Sequence, residues 1–182
     1  MKQPLLTAMH LPTRRSLALG IFALLAAAPF AGQAANLDLA APPELPPAEL
    51  GSTSLRAASV QQGGFNTSRI AQQGSSESAF VNQQGGNNSA SISQTGAQNL
   101  AIAAQYGTGN QALITQVGNN DTAIANQVGA NNLAVIGQYT SNASSTVNQF
   151  GNMNQATVRQ TTPGSTAPVF QFGDHLKLTV VR

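Results

Sequence analysis

Gln83-Gln84-Gly85-Gly86-Asn87-Asn88-Ser89-Ala90-Ser91-Ile92-Ser93-Gln94 sets the fold of this chain. From Asn88, every second residue is Asn88, Ala90, Ile92 and Gln94, while Ser89, Ser91 and Ser93 alternate with them. Side chains two apart on a strand share a face, so this pattern puts an amide, a methyl, a branched aliphatic and a second amide on one side. Gly85 precedes the strand and suits a tight turn that requires positive φ.

The stretch is one copy of a repeat. Gln recurs every eleven residues as Gln61, Gln72, Gln83, Gln94, Gln105, Gln116, Gln127, Gln138, Gln149, Gln160 and Gln171, without a slip. Two residues after Gln stands Gly63, Gly74, Gly85, Gly96, Gly107, Gly118, Gly129, Gly151 or Gly173, and only Thr140 and Thr162 interrupt the series. Five after Gln stands Asn66, Asn88, Asn99, Asn110, Asn132 or Asn154; Glu77, Asp121, Ala143, Ser165 and Leu176 take the other slots. Ala follows at the seventh place in eight of eleven copies, and the ninth place holds Ile, Val or Ala. A fixed internal period marks a repeat architecture.

An eleven-residue period also fits a right-handed helical coil. Gly inside a helix costs about 1 kcal/mol relative to Ala, and nine copies carry one. The helix reading fails on that count and on the abundance of Asn and β-branched residues. The strand reading predicts seven-residue strands at 55–61, 66–72, 77–83 and onward every eleven residues to 176–182, joined by four-residue turns. The expected fold class is all-β: a β-solenoid of about six two-strand coils, 22 residues per coil built from 11-residue half-repeats, with cross-β stacking. Coils would stack at about 4.8 Å. Inward Asn and Gln would then form amide columns, each side chain donating to one neighbour and accepting from the other. Pro168 removes a backbone donor, which predicts a loose rung there.

Composition agrees. Charged residues make up 8% and aromatic residues 5% of the chain, and there is no Cys or Trp. Identical residues stack 22 apart, so charge would repel along a column. One outward column reads Tyr106, Val128, Phe150 and Phe172. Ordinary stacking between coils is the expectation for it, with lateral fibre contact the alternative.

The remaining segments read as export and linkage. Residues 1–35 carry Lys2, Arg14 and Arg15, an apolar run from Leu17 to Phe30, and Ala31-Gly32-Gln33-Ala34-Ala35, the layout of a secretion signal peptide. A general secretory signal fits better than a twin-arginine one, because no folded cofactor protein is implied. Residues 36–54 form a linker with Pro42, Pro43, Pro46 and Pro47, expected to be extended and disordered. Residues 55–182 are the repeat domain. Without the signal, five basic residues meet six acidic ones and the net charge is near −1, which argues against a nucleic-acid partner.

The repeat resembles the curlin repeat, Ser-x5-Gln-x-Gly-x-x-Asn-x-Ala-x3-Gln. Besides Gln83 to Gln94, the stretches Gln94-Thr95-Gly96-Ala97-Gln98-Asn99-Leu100-Ala101 and Gln105-Tyr106-Gly107-Thr108-Gly109-Asn110-Gln111-Ala112 carry it. The resemblance implies a secreted, extracellular subunit of functional amyloid (curli-like) fibres at the cell surface, in the biofilm matrix. It also implies export unfolded through an outer-membrane secretion pore, and other curlin subunits, self and major, as partners. The last copy departs from the pattern: Leu176 and Leu178 replace Asn and Ala, and Arg182 replaces Gln. That resembles a minor, nucleating subunit more than the major one, and Lys177 and Arg182 become candidates for a C-terminal anchor. A blunted edge that limits growth is the competing reading of the same residues.

Chemistry is hard to find. His10 lies in the signal, His175 stands alone, and no Cys exists, so no catalytic or metal-binding set and no cofactor is expected. The expectation is a structural protein, not an enzyme. A monomeric β-solenoid binding module is the other class. It would need capped ends and a flat outward array, whereas one outward column here is the mixed Arg69, Ser91, Leu113, Val135, Thr157 and Thr179.

Overall fold

In a computed structural model, residues 54–182 are described. The expected signal at 1–35 and nearly all of the linker at 36–54 lie outside the described residues.

Twelve strands run in order: β1 Arg56–Gln62, β2 Thr67–Ser75, β3 Ser78–Gly86, β4 Ser89–Ala97, β5 Leu100–Thr108, β6 Gln111–Asn119, β7 Thr122–Ala130, β8 Leu133–Gln138, β9 Ser144–Asn152, β10 Gln155–Gln160, β11 Thr166–Phe172 and β12 Lys177–Val181. Odd strands form one six-stranded sheet, β1-β3-β5-β7-β9-β11, and even strands the other, β12-β10-β8-β6-β4-β2. All pairings are parallel with a 22-residue offset, such as Ala79↔Ala101 and Ile92↔Ile114. Residues 54–182 thus form a parallel β-solenoid of six coils.

The interior is one thin apolar column bounded by amides. Ala79, Val81, Ala101, Ala103, Ala123, Ala125 and Val147 from the odd sheet meet Ala90, Ile92, Ala112, Ile114, Ala134 and Ile136 from the even sheet. Large and small residues share the space. Ala103 and Ile114 occupy one coil, Ala125 and Ile136 the next, then Val147 with Val158 and Val169 with Val180. Such trading of volume keeps the interior filled at near-constant width. Ile114→Val is therefore expected to cost about 0.5–1.5 kcal/mol in denaturant unfolding. Leu113→Thr on the neighbouring outward position, 44% exposed, should stay within about 0.5 kcal/mol.

The corners differ from the sequence expectation. Strands begin one residue later than predicted, and seven of the twelve run to nine residues, through the Gly. Two positive-φ residues turn each regular corner. The first is the repeat Gly, with φ from 107° at Gly63 to 152° at Gly118. The second stands just before the Asn slot: Asn87, Asn120, Asn131 and Asn142 lie near φ 56–59°, and Gly109 and Gly164 near 70°. Asn tolerates this left-handed conformation because its short polar side chain bonds locally. Where Thr140 and Thr162 replace Gly, β8 and β10 stop at Gln and are only six residues long. A side chain with a Cβ does not sustain the extended positive-φ step that carries the other strands on.

Pro168 does not loosen its rung. It sits inside β11, paired with Thr146 of β9. Ser78, Leu100, Thr122 and Ser144, two residues before the place of Pro168 in their own strands, donate toward the C-terminal neighbour, as in Ser78 N–H to Asn99 O at 2.8 Å. By strand alternation the N–H missing from Pro168 would point out of the stack, so no bond to β9 is lost.

Candidate functional site

Two Gln columns run the length of the stack. In the odd sheet Gln61 donates to Gln83 at 2.6 Å, Gln83 to Gln105 at 2.8 Å, Gln105 to Gln127 at 2.8 Å, Gln127 to Gln149 at 2.9 Å and Gln149 to Gln171 at 2.7 Å. In the even sheet the chain runs Gln72, Gln94, Gln116, Gln138, Gln160 at 2.8–2.9 Å. From Gln72 onward the second N–H of each amide reaches a backbone carbonyl 16 residues back, as from Gln105 to Ser89 O at 3.0 Å. That bond fixes which end of the amide is nitrogen and ties the two sheets together. Gln83, Gln94, Gln105, Gln116, Gln127, Gln138, Gln149 and Gln160 are fully buried and all their polar atoms are satisfied. Burial of unpaired amides would be costly.

The Asn columns work differently. Asn88 Oδ1 accepts the backbone N–H of Asn110 at 3.1 Å, and its Nδ2 donates to Gly107 O at 2.9 Å. Asn66, Asn110, Asn132 and Asn154 repeat the same donation to Gly85, Gly129, Gly151 and Gly173. Side chain to corner backbone is thus the main bond, rather than the expected amide-to-amide ladder, although Asn88–Asn66 and Asn132–Asn110 also touch through side chains at 3.2 and 3.1 Å. Asn therefore clips each Gly corner to the next.

The other Asn slot is irregular. It reads Leu55, Glu77, Asn99, Asp121, Ala143, Ser165 along the odd sheet. Glu77 and Asp121 are completely buried. Asn99 Nδ2 reaches Glu77 Oε1 at 3.2 Å, and Asp121 Oδ1 accepts from Ala143 N–H at 2.8 Å. Glu77 Oε2 and Asp121 Oδ2 have no hydrogen-bond partner. Burial pushes both carboxyls above their ordinary range, against smaller lowering by Asn99 and the Gln73 backbone at Glu77 and by the Ala143 backbone at Asp121. Sequence reading noticed these acids as slot-fillers. Their placement in an inward column of otherwise neutral residues was the available signal that they would be buried.

Among the described residues, nothing covers either end of the stack. At β1 the inward Ala57, Ser59 and Gln61 are exposed, and at β12 the inward Leu176 and Leu178 are 39% and 40% exposed. The last copy is not detached: β12 pairs in register with β10, and Thr161 N–H donates to Arg182 O at 2.6 Å. Lys177 and Arg182 lie exposed at this end. The outward column stacks between coils, with the Phe150 and Phe172 rings 5.0 Å apart and parallel within 1°. Among the described residues no group of three or more His, Cys, Asp or Glu side chains is placed to hold a metal ion.

Residues 85–118 and 118–151 each match the curlin associated repeat. No curated protein matches the chain.

Proposed function

From a chain that carries two curlin associated repeats, we propose a secreted, extracellular subunit of curli-type fibres that grows by end-to-end stacking of copies. The direction of the Gln columns carries this reading. Within the two columns every Gln–Gln bond points toward the C-terminal coil, so among the described residues Gln61 Oε1 has no donor at one end, and Gln171 holds one N–H on Gln155 O and has its other N–H open. A second copy stacked head to tail puts Gln61 over Gln171 and continues the column; an inverted copy would oppose donor to donor. Uncovered edges of this kind are what soluble monomers blunt, and their pairing yields a cross-β fibre.

Within that role we favour the minor, nucleating subunit. The two ends are unequal. At β12 the Asn column stops at Leu176 and the even Gln column stops at Arg182, while Gln160 turns its amide to Ser165 at 2.8 Å. At β11, Pro168 offers no N–H to an incoming strand. An end poor in rungs, with Lys177 and Arg182 beside it, suits attachment to a cell surface or a secretion partner more than unlimited growth. Soluble major curlin incubated with substoichiometric amounts of this chain should lose its lag in thioflavin fluorescence. An unchanged lag, together with fibre formation by the chain alone, assigns it as a major subunit. A concentration-independent monomer with no thioflavin gain overturns the fibre reading. Deleting residues 172–182 should release fibres from cells; fibres that stay attached exclude the anchor.

A further inference from the structure

The Asn column of the odd sheet has a chemical requirement that two of its residues meet only in one protonation state. At a regular rung the side chain does two jobs. Its oxygen accepts the next coil's N–H, and its Nδ2 donates to the carbonyl 19 residues on, as Asn99 does with Asp121 N–H at 3.0 Å and Gly118 O at 2.9 Å. Asp121 performs the first job through Oδ1 and Ala143 N–H. For the second, its Oδ2 stands where an Asn would place Nδ2. The carbonyl to be served is that of Thr140. A Cβ built on Gly118 would overlap Thr140 O and lie 2.8 Å from Asp121 Oδ2, so both oxygens crowd the same corner. At Glu77 the carbonyl 19 residues on is that of Gly96, and Oε2 is the buried oxygen left without a partner. An ionised carboxylate sets a buried negative oxygen against a carbonyl oxygen, whereas a carboxylic acid supplies the missing donor.

We propose that Glu77 and Asp121 are proton-binding rungs: each carboxyl takes one proton from water as its coil closes, and the O–H formed donates to the carbonyl an Asn would have served. The solenoid is then favoured by acid and opposed by rising pH.

The surroundings offer no cation in place of the proton. Glu77 and Asp121 are the only ionisable side chains among the buried described residues. Leu55, Asn99, Ala143 and Ser165 share their column, and the inward residues opposite are Gln72, Gln94, Gln116 and Gln138, as the bonds from Gln94 to Ser78 O and from Gln138 to Thr122 O show, all neutral. Arg56 lies on the outer face, over the Phe80 ring at 5.3 Å. Arg69, Arg159, Lys177, Asp174, His175 and Arg182 are exposed. The two acids are two coils apart, about 9.6 Å, so they titrate as separate sites.

The sign follows from linkage. Both pKa values are raised on folding, from ordinary values of 4.5 for Glu77 and 3.8 for Asp121. The folded chain therefore binds more protons than the unfolded one. The contribution of each acid is fully present below its ordinary value and is lost as pH rises through the folded value. Within that window the folded-to-unfolded ratio falls about tenfold per pH unit for each carboxyl.

This inference concerns closing of the coils and rests on the solenoid, not on polymerisation. The test uses the whole chain and the variants Asp121→Asn and Glu77→Gln/Asp121→Asn. Urea unfolding followed by circular dichroism from about pH 4 to about pH 8 spans the carboxyl range. The native chain should lose stability with rising pH at the stated slope, Asp121→Asn should show half of it, and the double variant should be flat and the most stable at neutral pH. The infrared carbonyl band of a protonated carboxyl should persist in the native chain above about pH 5, where free carboxyls are ionised, and vanish in the double variant. A double variant that keeps the native pH dependence, or a native chain without that band, overturns the proposal. A pH-dependent chain that never forms fibres leaves the proton rungs intact and sinks the fibre reading instead.

Discussion

Gly129→Ala is expected to abolish the ordered solenoid around the fourth coil, with loss of about 4 kcal/mol or more in unfolding and failure to form fibres. Two independent effects add. Gly129 has φ +124°, a region almost closed to residues with a Cβ, where strain alone costs about 1–3 kcal/mol. A Cβ at this position would also overlap the carbonyl oxygen of Gly151 and come 2.8 Å from its carbon. That obstacle is backbone, so no side-chain rotation relieves it. The coils would have to part, and parting them breaks the bonds of β7 with β9 and the clip from Asn132 Nδ2 to Gly151 O at 2.8 Å. Gly64→Ala is the internal control. Nothing lies within 4 Å of a Cβ there, and its φ is not positive. It should change stability by no more than about 0.5 kcal/mol. Equal losses at both positions would rule out close approach of stacked corners as the reason for the repeat glycines.

Much of this was legible because the period is rigid. Eleven Gln residues in register give the coil length, the inward face and the pairing of residue with residue 22 further on, and the observed registers follow that rule throughout. The corners were less legible. Gly explained one positive-φ residue, but the second turning position holds Phe65, Ser76, Gln98 and Met153 as well as Asn, so composition blurs a conformation that the backbone repeats without exception. The strand shortening at Thr140 and Thr162 was visible as a broken Gly series, yet its consequence needed the knowledge that Gly continues a strand instead of ending it. For the Asn slot, spacing alone does not separate a side chain that bonds its twin from one that bonds the next corner's backbone. Periodicity assigns the face; the bond partner depends on side-chain length. Gln is one methylene longer and reaches its twin at every rung, whereas Asn bonds chiefly to the Gly carbonyl and touches its twin only at Asn88–Asn66 and Asn132–Asn110.

Gln105→Leu should cost about 2–6 kcal/mol in unfolding, because it removes one rung from the middle of a directional column. Leu fills similar space and is apolar, so a purely hydrophobic interior would gain from it. Here it orphans the Nε2 hydrogen that Gln83 donates at 2.8 Å and the Oε1 of Gln127, both on fully buried side chains. Each orphaned buried group costs about 1–3 kcal/mol. Gln61→Leu alters the same column at its exposed end and orphans one buried group, the acceptor Gln83 Oε1, because among the described residues nothing donates to Gln61 Oε1. Its cost should be about 1–3 kcal/mol, that of the one orphaned acceptor on Gln83. The two variants separate stability from growth. If Gln61 Oε1 receives the open N–H of Gln171 from the next copy, Gln61→Leu should slow elongation from preformed seeds far more than its loss of single-chain stability, about half that of Gln105→Leu, accounts for. Gln105→Leu should weaken the single chain first and slow elongation only through that loss. Elongation by Gln61→Leu at the native rate would rule out head-to-tail continuation of the Gln column, and the fibre would then have to join by another face.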